Sequence, residues 1–217
     1  MASAPDIRIT PAEPSALVVL LHGLTRSAKN MEPLAQKWAA ALPRTAFLCL
    51  SAPQYPPNGG DWFKYPKQRA EFDSDEQHVA MILDCVRDRM AKLDAAIDTE
   101  LVKSNLTNKQ LVVVGFSQGA ALAAYTGLAR RCVGVVPLGG PCPPREQLLP
   151  DHQDTRVCVV TGDRDPYAPH ELIKSAFAKY APQGETDGVH VVPGLTHIIS
   201  EQSESLGLAF LRACGCK

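Results

Sequence analysis

The run LVVVGFSQGAALAAY, residues 111–125, constrains this chain more than any other stretch. A β-branched apolar segment, Leu111 to Val114, meets Gly115-Phe116-Ser117-Gln118-Gly119, and an alanine-rich helical pattern comes directly after. Strand, sharp turn and helix in direct succession is the setting in which a G-x-S-x-G turn pushes its serine hydroxyl out of a sheet edge. The flanking glycines remove Cβ atoms where strand and helix crowd together. The helix N-terminus behind the serine favours a developing negative charge. Ser117 is therefore a candidate nucleophile.

The rest of the chain reads as alternating strands and helices. Ile7–Thr10 is a short edge strand ended by Pro11 and Pro14. Ala16–Leu21 is a continuous apolar run, as in a parallel strand buried on both faces. A helix over Met31–Leu42 stops at Pro43, and Phe47–Leu50 is the next strand. Ser51–Lys67 is rich in proline and holds a Gly-Gly pair, so it reads as loop. Ser74-x-x-Gln77 is a capping-box signal. It opens one long helix with apolar positions at Ile82, Val86, Met90, Leu93, Ile97 and Leu101. The elbow helix spans Ala120–Arg131. Val133–Leu138, Val157–Thr161 and Val189–Val192 are further strands, with helices near Glu171–Tyr180 and Ser200–Cys214. Repeated strand–helix units predict an α/β fold with a mostly parallel sheet covered on both faces, and ligands at the carboxyl ends of the strands. With 217 residues and no shift in composition, residues 1–217 are expected to form one domain.

Composition excludes several classes. The net charge is −1 and no basic stripe marks a nucleic-acid surface. No apolar run approaches the roughly 18 residues of a membrane span. The start, MASAPDIRIT, has neither a charged region nor an apolar core of the secretory kind. The seven cysteines are odd in number and form no C-x-x-C pair. Cys49, Cys85, Cys132 and Cys158 sit in apolar patterns as small core residues. Free thiols place the chain in a reducing cytosol. Cys214 and Cys216 are expected to lie exposed on a frayed terminus.

A serine nucleophile needs a base, and the base needs an orienting acid. His197, in PGLTH after the last strand, falls at the same sheet edge as Ser117. Of the other histidines, His22 ends a strand, His78 and His152 lie in polar stretches, His170 starts a helix and His190 lies within a strand. The strand VCVVTGDRDP brings both Asp163 and Asp165 to that edge, and either reaches His197 on sequence grounds. Pro166 stiffens the loop of Asp165, while Asp163 suits the capping of local backbone amides. An oxyanion site needs two backbone N–H donors. One is expected from Gln118, and the other from Leu24, after the strand that ends in His22-Gly23.

LLHGLT, GFSQG, GDRDPYAP and GLTH together resemble the phospholipase/carboxylesterase family of α/β-hydrolases, which includes acyl-protein thioesterases and small carboxylesterases. The resemblance runs over about residues 16–212. It implies an α/β-hydrolase fold without a cap domain, with Ser117, Asp165 and His197 as the triad and the amides of Leu24 and Gln118 as oxyanion donors. Trp62-Phe63 resembles the W-F that lines the acyl groove, and Tyr167 belongs with them as a substrate-binding residue. Thr25-Arg26 stands where the family carries Gly-Asp, Ala120 replaces a second glycine, and Gln54–Asp61 is short and poor in apolar residues. The stretch Gly139–Arg156 is too short for a helical cap. An open site walled by Leu24, Trp62, Pro141 and Tyr167 would admit an ester on a large carrier. The expected function is hydrolysis of esters or thioesters through an acyl-enzyme, without metal or organic cofactor. The expected substrates are acylated proteins, small esters or lysolipids, reached by transient membrane contact; dimerisation is implied by the family resemblance alone. The competing class is a binding protein that kept the hydrolase fold without its chemistry.

Overall fold

The structure, a computed structural model, describes residues 4–52, 60–64, 73–87, 89–140, 154–177 and 182–217. Seven strands form one sheet: β1 (Ile7–Ile9), β2 (Ala16–Leu21), β3 (Thr45–Leu50), β4 (Leu111–Phe116), β5 (Gly134–Leu138), β6 (Arg156–Gly162) and β7 (Gly188–Val192). Their order is β1-β3-β2-β4-β5-β6-β7. Only β1 runs antiparallel, against β3, and every other pairing is parallel. The chain reverses its direction of travel across the sheet at β2, which lies between β3 and β4. A reversal of this kind opens a crevice at the carboxyl ends of the two strands beside it. The loops after β2 and β4 meet there, and they carry Leu24 and Ser117.

The apolar runs explain the layering. All six residues of β2 are buried, as are all six of β3. Alternate side chains point to opposite faces, so Leu17, Val19 and Leu21 join one core cluster while Val18 and Leu20 join the other. The first face is covered by α2 (Asp75–Arg87), α3 (Met90–Lys103), α4 (Gln118–Arg130) and α5 (His170–Ala176). The second is covered by α1 (Ala28–Ala41) and α6 (Glu201–Ala213). Among the described residues no helix is long and apolar enough to cross a membrane.

Two expectations fail. The single long helix is two, α2 and α3, and Arg89 N–H, before α3, donates to Val86 O in α2 at 2.9 Å. Ile82, Val86, Leu93, Ile97 and Leu101 remain one buried stripe across both helices, and the Met90 side chain lies outside those described. The apolar spacing reports the buried face, and it survives an interruption of the backbone. The second failure is the terminus. Cys216 is only 3% exposed and Cys214 is half-buried. Lys217 O accepts from Arg44 N–H at 2.6 Å and from Thr45 Oγ1 at 3.1 Å, while Cys216 N–H donates to Leu211 O at 3.0 Å. These bonds fold the tail against the start of β3, and burial pushes the Cys216 thiol up to about 11. Thiolate, the reactive form, is then scarce near neutral pH. Iodoacetamide at mildly alkaline pH, read by mass mapping, should spare Cys214 and Cys216 in the folded protein and modify both in urea. Rapid labelling without denaturant would contradict the docked tail.

Candidate active site

The elbow is built by close approach. Ser117, between β4 and α4, has φ 55°, ψ −116°, a strained conformation for a residue with a side chain. Such backbone costs about 1–3 kcal/mol and persists only where its surroundings hold it. Here Ser117 N–H donates to Leu138 O at 3.0 Å, and Ser117 O accepts from Ala120 N–H at 2.9 Å. A Cβ on Gly115 would lie 2.0 Å from Gly119 O, and one on Gly119 would lie 2.4 Å from Leu21 O. Only hydrogens fit at either position, so α4 starts directly against the ends of β2 and β4.

The loops after β6 and β7 bring the base and the acid to the serine. His197 Nε2 lies 2.9 Å from Ser117 Oγ. His197 Nδ1 lies 2.8 Å from Asp165 Oδ2 and 3.0 Å from Oδ1. A carboxylate can only accept, so Nδ1 carries the proton and Nε2 offers its lone pair to the hydroxyl. The Asp165 side chain is 1% exposed. Its Oδ1 also accepts from Tyr167 N–H at 2.9 Å and Ala168 N–H at 3.2 Å, which fixes the carboxylate from behind. The imidazole is flanked by the Phe116 ring at 5.0 Å and, edge-on, by the Tyr167 ring at 4.8 Å. Asp163 does not touch the histidine in this arrangement. Its Oδ1 accepts from Gly194 N–H at 2.6 Å, tying the β6 loop to the turn that carries His197. It does bind a backbone amide, but on a neighbouring loop rather than its own.

The remaining expected residues divide between surface and interior. Leu24 and Tyr167 are 40% and 70% exposed, Ile198, next to His197 in the chain, is exposed too, and the Tyr167 ring touches the His197 ring. The N–H groups of Leu24 and Gln118 have no acceptor among the described residues. Thr25 comes next in a left-handed conformation at φ 58°, where the resembled pattern carries glycine, and its N–H donates to Asp61 Oδ1 at 3.1 Å. Trp62 and Phe63, expected on the acyl groove wall, are 4% and 2% exposed and belong to the core beneath α4. Pro141 and His152 lie outside the described residues, as do 54–59 of the short loop; of His78 only the backbone is described. Among the described residues no three His, Cys, Asp or Glu side chains are grouped to hold a metal ion.

His22 is the residue that sequence reasoning passed over. It is fully buried, its Nε2 accepts from Ala52 N–H at 3.0 Å, and its Nδ1 lies 2.7 Å from Gly23 O. The Ala52 bond requires a lone pair on Nε2, so Nδ1–H donates to Gly23 O and the ring is neutral. A histidine next to a glycine after a buried strand was the available signal, but the partner at Ala52 is thirty residues away. Burial lowers the His22 pKa below its usual 6.5, against smaller raising effects from Gly23 and Asp61. The unfolded chain therefore binds this proton first as pH falls. The stabilisation is complete above about pH 6.5 and is lost below it, with a slope of up to about 1.4 kcal/mol per pH unit until the folded ring also protonates. Urea unfolding at stepped pH should show this acid-side loss, and His22→Gln should remove that component. An identical pH profile in the variant would count against it.

A family model described as phospholipase/carboxylesterase matches residues 4–214. Acyl-protein thioesterase 1 of Yarrowia lipolytica is 27% identical over 174 residues, covering 76% of each chain. Acyl-protein thioesterase 1 homolog 1 of Dictyostelium discoideum is 23% identical over 209 residues, covering 91% of this chain and 89% of its own. Among solved structures, esterase PE8 superposes with a TM-score of 0.79 at 26% identity, over 98% of this chain and 99% of that one. Acyl-protein thioesterase 2 of Zea mays superposes with a TM-score of 0.69 at 17% identity, over 97% and 98%, a likeness of fold.

Proposed function

This chain belongs to the phospholipase/carboxylesterase family of α/β-hydrolases, and we propose that it carries out serine ester hydrolysis through an acyl-enzyme on Ser117. Ser117 Oγ attacks the substrate carbonyl while His197 Nε2 takes its proton. The tetrahedral oxyanion is held by the N–H groups of Leu24 and Gln118. Its collapse expels the alcohol or thiol, which receives the proton from His197, and leaves Ser117 acylated. Water, deprotonated by the same nitrogen, then releases the acid. Asp165 keeps the proton on Nδ1 and stabilises the imidazolium as it forms. The observation that carries this reading is the continuous contact from Ser117 Oγ through His197 to Asp165, at 2.9 and 2.8 Å. No step requires a metal or organic cofactor.

Among substrates the reading favours S-acyl protein thioesters, with carboxylesters and lysophospholipids as the related class. The thioesterase relatives support it, and so do the exposed apolar side chains of Leu24, Tyr167 and Ile198, which suit contact with an acyl chain. In this reading Trp62 and Phe63 support the wall from beneath rather than touching the chain, because both are buried.

A fluorophosphonate probe should label the wild type and leave Ser117→Ala unlabelled; persistent labelling would overturn the nucleophile. Asp165→Asn should lower kcat on p-nitrophenyl esters by about 10²–10⁴-fold, because the wrong tautomer then faces the serine. Asp163→Asn should lower it much less, because the amide oxygen still accepts from Gly194 N–H and no bond to His197 is lost. The reverse order would reassign the acid.

A further inference from the structure

We propose that the Gln118 side chain is a positioning residue that sets the spacing of the two oxyanion amides, acting through Trp62 and His22. This rests on the reading of the Leu24 and Gln118 N–H groups as the oxyanion donors. Those donors come from separate loops, after β2 and β4, and catalysis requires both to be fixed relative to each other. Gln118 is 1% exposed, and its side chain is bonded at both ends inside the protein. Its Oε1 accepts from Trp62 N–H at 2.8 Å, and its Nε2 donates to Phe63 O at 2.8 Å. Trp62 Nε1–H continues the chain by donating to His22 O at 2.8 Å, and its ring lies 4.8 Å from the His22 ring, tilted by 30°. His22 in turn holds Gly23 O and is anchored to Ala52. The path thus runs from the residue bearing one donor, through two buried side chains, to the residues immediately before the other. Every link lies in the interior, where a hydrogen bond is strong and an orphaned partner is costly.

The amide group is used at both ends, one atom accepting and the other donating, and this supplies a test that mere space-filling would not pass. In Gln118→Glu the protonated carboxyl reproduces both bonds, since it too has one acceptor and one donor. Once ionised it can only accept, and an oxygen then faces Phe63 O. Burial raises the pKa of such a carboxyl above about 4.3. Dividing the variant's kcat by that of the wild type at each pH removes what the two share and leaves the contribution of the new group.

The expected result is a kcat ratio for Gln118→Glu that falls with rising pH and stays low at alkaline pH, with KM little changed. The spacing matters only once the oxyanion forms, so the loss belongs in kcat. Gln118→Met, similar in volume, should lower kcat about 10–100-fold at all pH values. Trp62→Phe should lower it less, and the double variant should fall short of the product of the two, because one path is cut twice. A pH-independent ratio for Gln118→Glu, or a Gln118→Met effect confined to KM, would overturn the proposal. If Gln118→Met does not fold, the pH ratio of the near-isosteric Gln118→Glu decides alone. A wild type inactive on every ester sinks the hydrolase reading and this inference with it; an active wild type with a flat ratio sinks only this inference.

Discussion

The approach of the first turn of α4 to the end of β2 is the constraint on which the rest of the site depends. Gly119 leaves no room for a Cβ against Leu21 O and His22 O, and Gly115 leaves none against Gly119 O. That crowding forces Ser117 into its strained backbone and turns its hydroxyl outward. It also sets the N–H of Gln118 beside the loop that bears Leu24. A methyl group at either glycine would separate the two loops before any question of chemistry arose. Strain of this kind is stable only because the surrounding sheet over-determines it, and the fully buried strands β2 and β3 supply that rigidity.

Around this contact the chain places polar groups in the interior with their partners already chosen. Gln118, His22 and Asp165 are all nearly inaccessible to water, and each is satisfied from more than one direction. Buried polar groups of this kind specify geometry more than they stabilise, since each must match a particular partner or leave a costly orphan. Asp163 and Asp165, two residues apart, divide accordingly. One fastens the turn that carries His197, and the other meets the imidazole.

The elements that sequence reasoning placed well are those governed by local rules. The continuous apolar runs at Ala16–Leu21 and Leu111–Val114 are parallel strands because no polar residue interrupts burial on either face. His197 and Asp165 meet at one edge because both lie in loops just after parallel strands, as their places in the sequence suggest. The failures have a common cause. The break between α2 and α3 leaves the apolar stripe intact, so spacing alone did not reveal it. The tail holding Cys214 and Cys216 is short and mixed in composition, and its bonds to Arg44 and Thr45, far away in the chain, dock it against β3. Trp62 and Phe63 are expected beside the acyl chain by resemblance, and the structure buries both, with the Trp62 indole N–H donating to His22 O.

By itself the sequence determined the alternation of strands and helices, the elbow at Gly115–Gly119, and the identity of the groups that gather at the sheet edge. These come from apolar periodicity and from the steric demands of a sharp turn, which act over a few residues. The tertiary structure alone decided that Asp163 holds Gly194, that His22 is neutral and buried, and that the Gln118 amide reaches Trp62 and Phe63. Those outcomes depend on contacts between residues 30 to 56 positions apart. No local pattern encodes such a distance, because it is fixed only when the strands have assembled and the loops at their ends have closed on one another.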